Sequence, residues 1–277
     1  MSLKKTLTIA GSDTSGGAGI QADLKTFQEH GTYGMTAVTV IVTMDPDQNW
    51  SHHVYSLPID VVEAQLKTAL STGIDAIKTG MLSTEEVIQT AGLAIDESGL
   101  DHVVIDPVMV CKGEDEVLNP GNTDAMIKYL VPKAEIVTPN LFEAGQLASM
   151  KTPKTIDDMK VAAQKIHELG ARNVVIKGGK QLDHEEAVDL FYDGLTFTLL
   201  KSERSETYHN HGAGCTFAAA ITANLANGLS IKDAVIEAKQ FVTAAIAHGW
   251  KLNEYVGPVM HGAKNQFDVP QVKLQEV

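Results

Sequence analysis

The chain has 277 residues, 44% of them hydrophobic and 21% charged, enough to bury a sizeable core in one large α/β domain or two small ones. Its net charge of -13 argues against a sequence-independent nucleic-acid surface, which needs clustered Lys and Arg. No run of 18 apolar residues occurs and the apolar stretch near the N-terminus is too short for a signal peptide, so a cytoplasmic protein with no membrane contact is expected.

In chain order, β-branched runs alternate with amphipathic stretches. Strands are expected at 3–10, 36–43, 76–79, 102–106, 135–138 and 173–177. Helices are expected between and beyond them, at 18–30, 60–72, 84–98, 123–130, 141–149 and 156–169. This is the βαβ rhythm of a mostly parallel sheet. "AVDLFYDGLTFTLL" then breaks the rhythm, because Asp193-Gly194 between two β-rich runs is a two-residue hairpin signal. Two further helices follow at 215–227 and 231–247, stopped by Asn227-Gly228 and by Gly249. No repeat or Pro/Gly-rich linker divides the chain, and one domain over 1–277 is expected.

Ligands of open parallel sheets bind at the carboxyl ends of the strands, so the segments just after each strand carry the functional reading. The first, "GSDTSGGAGIQAD", contains Gly17-x-Gly19-x-x-Ala22 with Asp45 further on. That matches the dinucleotide fingerprint loosely, since six residues separate the expected strand end from Gly17. In "HGAGCTFAAAI", Gly212, Ala213 and Gly214 let successive N–H groups converge at a helix N-terminus, a nest for phosphoryl oxygens. Asp106 ends a buried-looking strand and Glu143 follows another. Mg²⁺ favours one or two carboxylates completed by water and phosphate oxygens, although either residue could equally be a helix cap. Lys177 precedes Gly178, Gly179 and Lys180, where a point charge near phosphates would serve. His52 and His53 are adjacent, and His209 and His211 flank the glycine loop; each reads as a surface or substrate-loop group rather than a zinc ligand. The two cysteines, Cys111 and Cys215, are far apart in sequence and are not read as a disulfide.

Together, "GSDTSGGAGIQADLKTF", "KTGML", "DPVMVCKG", "TPNLFEA", "VIKGG" and "HGAGCTFAAAI" resemble, in order and over essentially the whole chain, the ribokinase-like superfamily. Within it the closest likeness is to the branch of hydroxymethylpyrimidine kinases and related pyridoxal kinases. The resemblance implies a three-layer α/β/α fold with a mostly parallel central sheet and a peripheral hairpin, ATP and Mg²⁺ as cosubstrate and cofactor, and a homodimer. It further implies transfer of the γ-phosphoryl to a primary alcohol on a small ring, among which Met44 and Cys111 point to pyridoxal. Carried over to this chain, Gly212 to Gly214 form the anion hole, and Asp106 and Glu143 order Mg²⁺. Asn140, Lys177, Gly178, Gly179, Lys180 and Ala213 line the ATP site, while Asp23, Met44, His52, Met81 and Val108 face the ring.

Cys215 stands where most of the superfamily has the aspartate base; at a helix N-terminus its pKa is expected to be lowered, so that the thiolate takes the hydroxyl proton. Met44 replaces the glutamine with which pyrimidine kinases of the branch pair their substrate. A thiol adds reversibly to an aldehyde, so Cys111 is expected to capture pyridoxal as a hemithioacetal, with His52 shuttling the proton. The acidic segment Glu114, Asp115, Glu116 beside it is expected to close over bound ligands. Three other readings stay open: a hydroxymethylpyrimidine or phosphomethylpyrimidine kinase, a nicotinamide-dependent oxidoreductase using Gly17-x-Gly19, and a non-catalytic pyridoxal carrier.

Overall fold

The computed structural model describes residues 3–109, 120–268 and 271–277. The chain runs β1 (Lys5–Asp13), α1 (Gly19–Glu29), β2 (Tyr33–Asp45), β3 (Ser51–Ser56), α2 (Ile59–Leu70), β4 (Ala76–Thr79), α3 (Glu85–Ser98), β5 (Val103–Ile105), α4 (Pro120–Tyr129), β6 (Ile136–Val137), α5 (Leu141–Leu147), α6 (Ile156–Glu168), β7 (Asn173–Lys177), β8 (Ala187–Tyr192), β9 (Phe197–Ser202), α7 (Ala213–Ala226), α8 (Ile231–Ala247), α9 (Ala263–Gln266) and β10 (Lys273–Glu276). Among the described residues the strands form one sheet, ordered β10-β9-β8-β7-β6-β5-β4-β1-β2-β3. From β2 to β7 all neighbours are parallel, and antiparallel strands extend both edges.

The short central strands show why the molecule has three layers. Val103 and Ile105 of β5 enter a core shared with α2 to α6, whereas Val104 between them enters a second core under α7 and α8. β7 alternates likewise, with Val174 and Ile176 on one side and Val175 on the other. A strand covered on both faces reads as a continuous apolar run. α7 carries Ala218, Ala219, Ala220 and Ala223, all fully buried; these small side chains let it lie close against the sheet, α1 and α8.

The expected α/β/α layering is present, with several local differences. β1 runs three residues further than expected, into the glycine loop, with a bulge between Ala10 and Ser12. A Cβ on Gly11 would meet the Val40 side chain at 2.6 Å, so glycine lets the bulged strand stay paired. β3 and β10 are strands where none was expected, because each is an exposed edge strand with no buried alternation to betray it. The β8–β9 turn centres on Gly194-Leu195 rather than Asp193-Gly194, as the Tyr192↔Phe197 register requires. Asp193 instead caps it, accepting from Leu195 N at 2.9 Å and Thr196 N at 2.7 Å. α7 begins at Ala213, two residues early, since Gly212 with φ 80 lets the chain turn directly into the helix. No helix among the described residues is long and apolar enough to cross a membrane.

Candidate active site

Parallel strands bring their carboxyl ends to one edge of the sheet, and the segments leaving β1, β2, β4, β5, β6 and β7 there meet the N-terminus of α7 around a cleft of about 640 Å³. Gly212, Ala213, Gly214 and Cys215 form one wall. The Ala213 amide donates to Asn210 O at 3.1 Å, so the first-turn amides of Gly214 and Cys215 are the donors for an anion, at the positive end of a helix 14 residues long. The loop is held from behind by the first glycine segment: a Cβ on Gly212 would drive into the Gly17 carbonyl, and one on Gly17 into the His211 ring.

That interlock accounts for the fingerprint-like glycines. Gly17 and Gly19 make room for chain atoms, Gly19 with φ 56 lying against the Gly11 carbonyl, and Asp45 closes the next turn by accepting from Asp47 N and Gln48 Nε2, each at 2.8 Å. His211, expected as a surface or substrate-loop group, is buried, with Nε2 2.7 Å from Asp13 Oδ2. Asp13 also accepts from Ser15 N, Ser15 Oγ and Ala18 N. Burial works against its charge, yet His211 and these donors hold its carboxyl down at about 2.

Opposite the anion loop, Asp106 Oδ1 accepts from Lys177 Nζ at 2.9 Å and from Thr138 Oγ1 at 3.0 Å. Burial opposes its charge, but Lys177 and Lys78 keep the carboxyl below the usual range. Glu143 and Asn140 form the capping box of α5, Glu143 Oε2 accepting from Asn140 N at 2.8 Å and Asn140 Oδ1 from Glu143 N at 2.9 Å. Glu143 is therefore both a cap and a cleft carboxylate. Burial pushes its pKa up to about 7. Two buried carboxylates of which one is readily ionised, beside a phosphate-sized anion nest, fit a Mg²⁺ completed by phosphate and water oxygens. Among the described residues no group of three or more acidic, His or Cys side chains is arranged to hold a metal by itself.

A further wall of the cleft is built by the β2–β3 hairpin, whose register places Met44 directly opposite His52. Met81 and Val108 complete it, the Met81 carbonyl being fixed by Thr39 Oγ1 at 2.7 Å. Asp23 is absent from this lining, contrary to expectation. It is fully buried beneath the floor, where Oδ2 accepts from Thr8 Oγ1 at 2.7 Å and from Lys78 Nζ at 3.0 Å. Lys78 itself lines the cleft; in the sequence "AIKT" reads simply as a short buried strand, which gives the lysine no role of its own. Burial opposes its charge, but Asp23, Cys215 and Asp106 outweigh it and hold the ammonium above the usual lysine range.

Cys215 departs from expectation in its ionisation. Burial pushes the thiol up to about 11, against the pull of Lys78 and of the Gly19 amide on the sulfur. Cys111, with Glu114, Asp115 and Glu116, lies outside the described residues.

A second chamber of about 360 Å³ adjoins the cleft, sharing Asn140, Lys177, Gly179, Lys180 and Gly214 and continuing to Phe217, Val242 and Ile246. Gly178 N anchors its entrance, donating to Val188 O at 3.1 Å and to Asp189 Oδ1 at 3.0 Å. Asp189 in turn is ion-paired to the buried Lys239 at 2.8 Å. Lys180 donates to Thr207 O at 2.8 Å and lies over the Tyr208 ring. The two chambers together suit a polar, anionic molecule in one and a flat apolar ring at each end.

Comparison with known proteins is consistent with this arrangement. The phosphomethylpyrimidine kinase family model matches residues 13–260. The structure of the pyridoxal kinase from Staphylococcus aureus in complex with pyridoxal superposes with a TM-score of 0.96, is 61% identical and covers 100% of both chains; the complex of that protein with ADP gives 0.97 at 62% identity, again over 100% of both chains. The pyridoxine kinase of Bacillus subtilis is 57% identical over 95% of this chain and 97% of its own. The hydroxymethylpyrimidine/phosphomethylpyrimidine kinase of the same organism is 40% identical over 95% and 96%.

Proposed function

Since the chain belongs to the phosphomethylpyrimidine kinase family, we propose that it is a pyridoxal kinase, transferring the γ-phosphoryl of ATP to the 5'-hydroxymethyl of pyridoxal within a single kinase domain over 1–277. The observation that carries the reading is the convergence in one cleft of the α7 anion nest, Cys215, Lys177 and the Met44–His52 pair. The choice of ring follows from Met44, which offers a pyrimidine edge no amide, and from the higher identity to pyridoxine and pyridoxal kinases than to a hydroxymethylpyrimidine kinase.

In this reading the ATP base and sugar occupy the second chamber and the triphosphate runs past Asn140 and Lys177 to α7. Asp106 and Glu143 would hold Mg²⁺, which screens the phosphate charge and draws electrons from the transferring phosphorus. The acceptor oxygen attacks the γ-phosphorus as its bond to the β-phosphate oxygen breaks; the hydroxyl proton passes to the Cys215 sulfur as thiolate, and ADP leaves. Charge on the equatorial oxygens is met by the Gly214 and Cys215 amides and by Lys177. Cys111 would add to the pyridoxal aldehyde as a hemithioacetal, with His52 shuttling the proton. The enzyme is read as a cytoplasmic homodimer, which light scattering of the purified chain would test.

Initial rates on pyridoxal, pyridoxine and hydroxymethylpyrimidine with excess MgATP, counting ADP per product, test the substrate. Pyridoxal should lead, and Cys111→Ala should erase its lead over pyridoxine. A lead for hydroxymethylpyrimidine would move the protein to the pyrimidine kinases.

A further inference from the structure

A buried ammonium on the floor of an active-site cleft calls for an account that the phosphate chemistry above leaves open. Lys177 already faces the metal corner, paired to Asp106. Lys78 enters from β4, buried at the cleft floor, and its side-chain bond among the described residues goes to Asp23, which does not line the cleft. Gly80, two residues on, keeps the space above it clear: a Cβ there would sit 3.2 Å from Lys78 Nζ. Asp23 is correspondingly unusual, with both partners on Oδ2 and Oδ1 buried and unpartnered. The pair is oriented, with the ammonium at the cleft and the carboxylate beneath it, so the nearer charge leaves positive potential on the cleft side, which Cys215 also lines.

We propose that Lys78 is a positioning residue for phosphoryl transfer: its ammonium stabilises the negative charge on the Cys215 sulfur, and Asp23 beneath it sets how strongly. The inference rests on Cys215 as proton acceptor. Cys215 at the start of α7 lines the same cleft as Lys78 of β4, Asp106 after β5, Lys177 of β7 and Gly19 of α1, with Asp23 of α1 beneath the floor; Lys78 and the Gly19 amide favour charge on the sulfur, and Asp23 and Asp106 oppose it. Both cations are ion-paired, Lys177 to Asp106 at the metal corner and Lys78 to Asp23 beneath the floor, and of the two Lys78 exerts the stronger pull on the sulfur. Burial pushes the free thiol up to about 11, so without that pull the thiolate would be rarer still.

The test reads the sulfur directly. In a Cys111→Ala background Cys215 is the only cysteine, and its alkylation by iodoacetamide is followed from about pH 7 to about pH 11. Lys78→Met should slow alkylation at pH 9 by about tenfold or more, one unit of thiol pKa being a factor of ten in thiolate. Asp23→Asn, nearly isosteric, should quicken it, and Lys78→Arg should stay within about threefold of the parent. In turnover, Lys78→Met should lower kcat and move its pH profile toward alkali, with little change in KM for ATP. Opposite shifts in the two variants cannot come from loosened packing alone, and Asp23→Asn keeps the test decisive if Lys78→Met does not fold. Rates within twofold for both variants, or slowing in both, would overturn the proposal. Should Cys215→Ala retain turnover while the alkylation shifts stand, the acceptor reading of Cys215 falls and the link from Lys78 to the sulfur is upheld.

Discussion

Replacing Gly212 by alanine probes the anion nest at its most constrained atom. Gly212 has φ 80 and a Cβ there would come to 2.8 Å from the Gly17 carbonyl carbon as well as colliding with its oxygen. The left-handed backbone alone costs an L-residue about 1–2 kcal/mol. Because the obstacle is backbone, neither a rotamer change nor a side-chain shift relieves it, and the α7 N-terminus must move off the first glycine segment. Loss of one aligned donor to a transition-state oxyanion costs about 3–4 kcal/mol, so kcat should fall by about 10² to 10³. Gly214→Ala is the matched control: no positive φ occurs there, and its Cβ would meet the movable end of Lys177 at 3.4 Å, so kcat should drop less than about tenfold. Steady-state kinetics with MgATP and pyridoxal, beside thermal melts of both variants, make the comparison. A Gly212→Ala enzyme that keeps kcat within about threefold of the parent would show that the nest does not touch the transferring group.

Three further outcomes are expected. If the acceptor is a thiol held at about 11, kcat/KM should climb with pH from about 7 to about 10 without a plateau, and a plateau near neutrality would place the base elsewhere. Asp13, held at about 2 from 3.8, stabilises the fold fully above its unfolded value and loses this as pH falls through about 2, a contribution of about 2 kcal/mol at neutral pH; in urea melts the gap between parent and Asp13→Asn should close as pH drops from about 5 toward 2. Lys239→Met strands Asp189 in a buried site, costing about 3–5 kcal/mol in stability, and by freeing Gly178 it should also raise KM for ATP.

What could be read from the chain follows the physics of each signal. Apolar runs alternating along the chain with amphipathic stretches reported the parallel sheet, because a strand buried on both faces, β5 and β7 included, is apolar throughout while each covering helix is apolar on one face only. Glycine loops at strand ends likewise pointed to the cleft, which Gly19, Gly178, Gly179, Gly212 and Gly214 line. The edge strands β3 and β10 escaped because they are exposed and their pairing is a matter of backbone alone.

Composition, periodicity and motif order thus determined the fold class and most of the cleft-lining residues by themselves, because these depend on local chemistry repeated along the chain. Only the tertiary structure decided which way the remaining groups act. Asp23 and Lys78 are 55 positions apart and Asp13 and His211 are 198 apart, and no local pattern links either pair. The ionisation of Cys215 depends on tertiary packing in the same way. A helix N-terminus is visible in sequence, but desolvation is a property of everything packed around the sulfur, and burial pushes the thiol up to about 11.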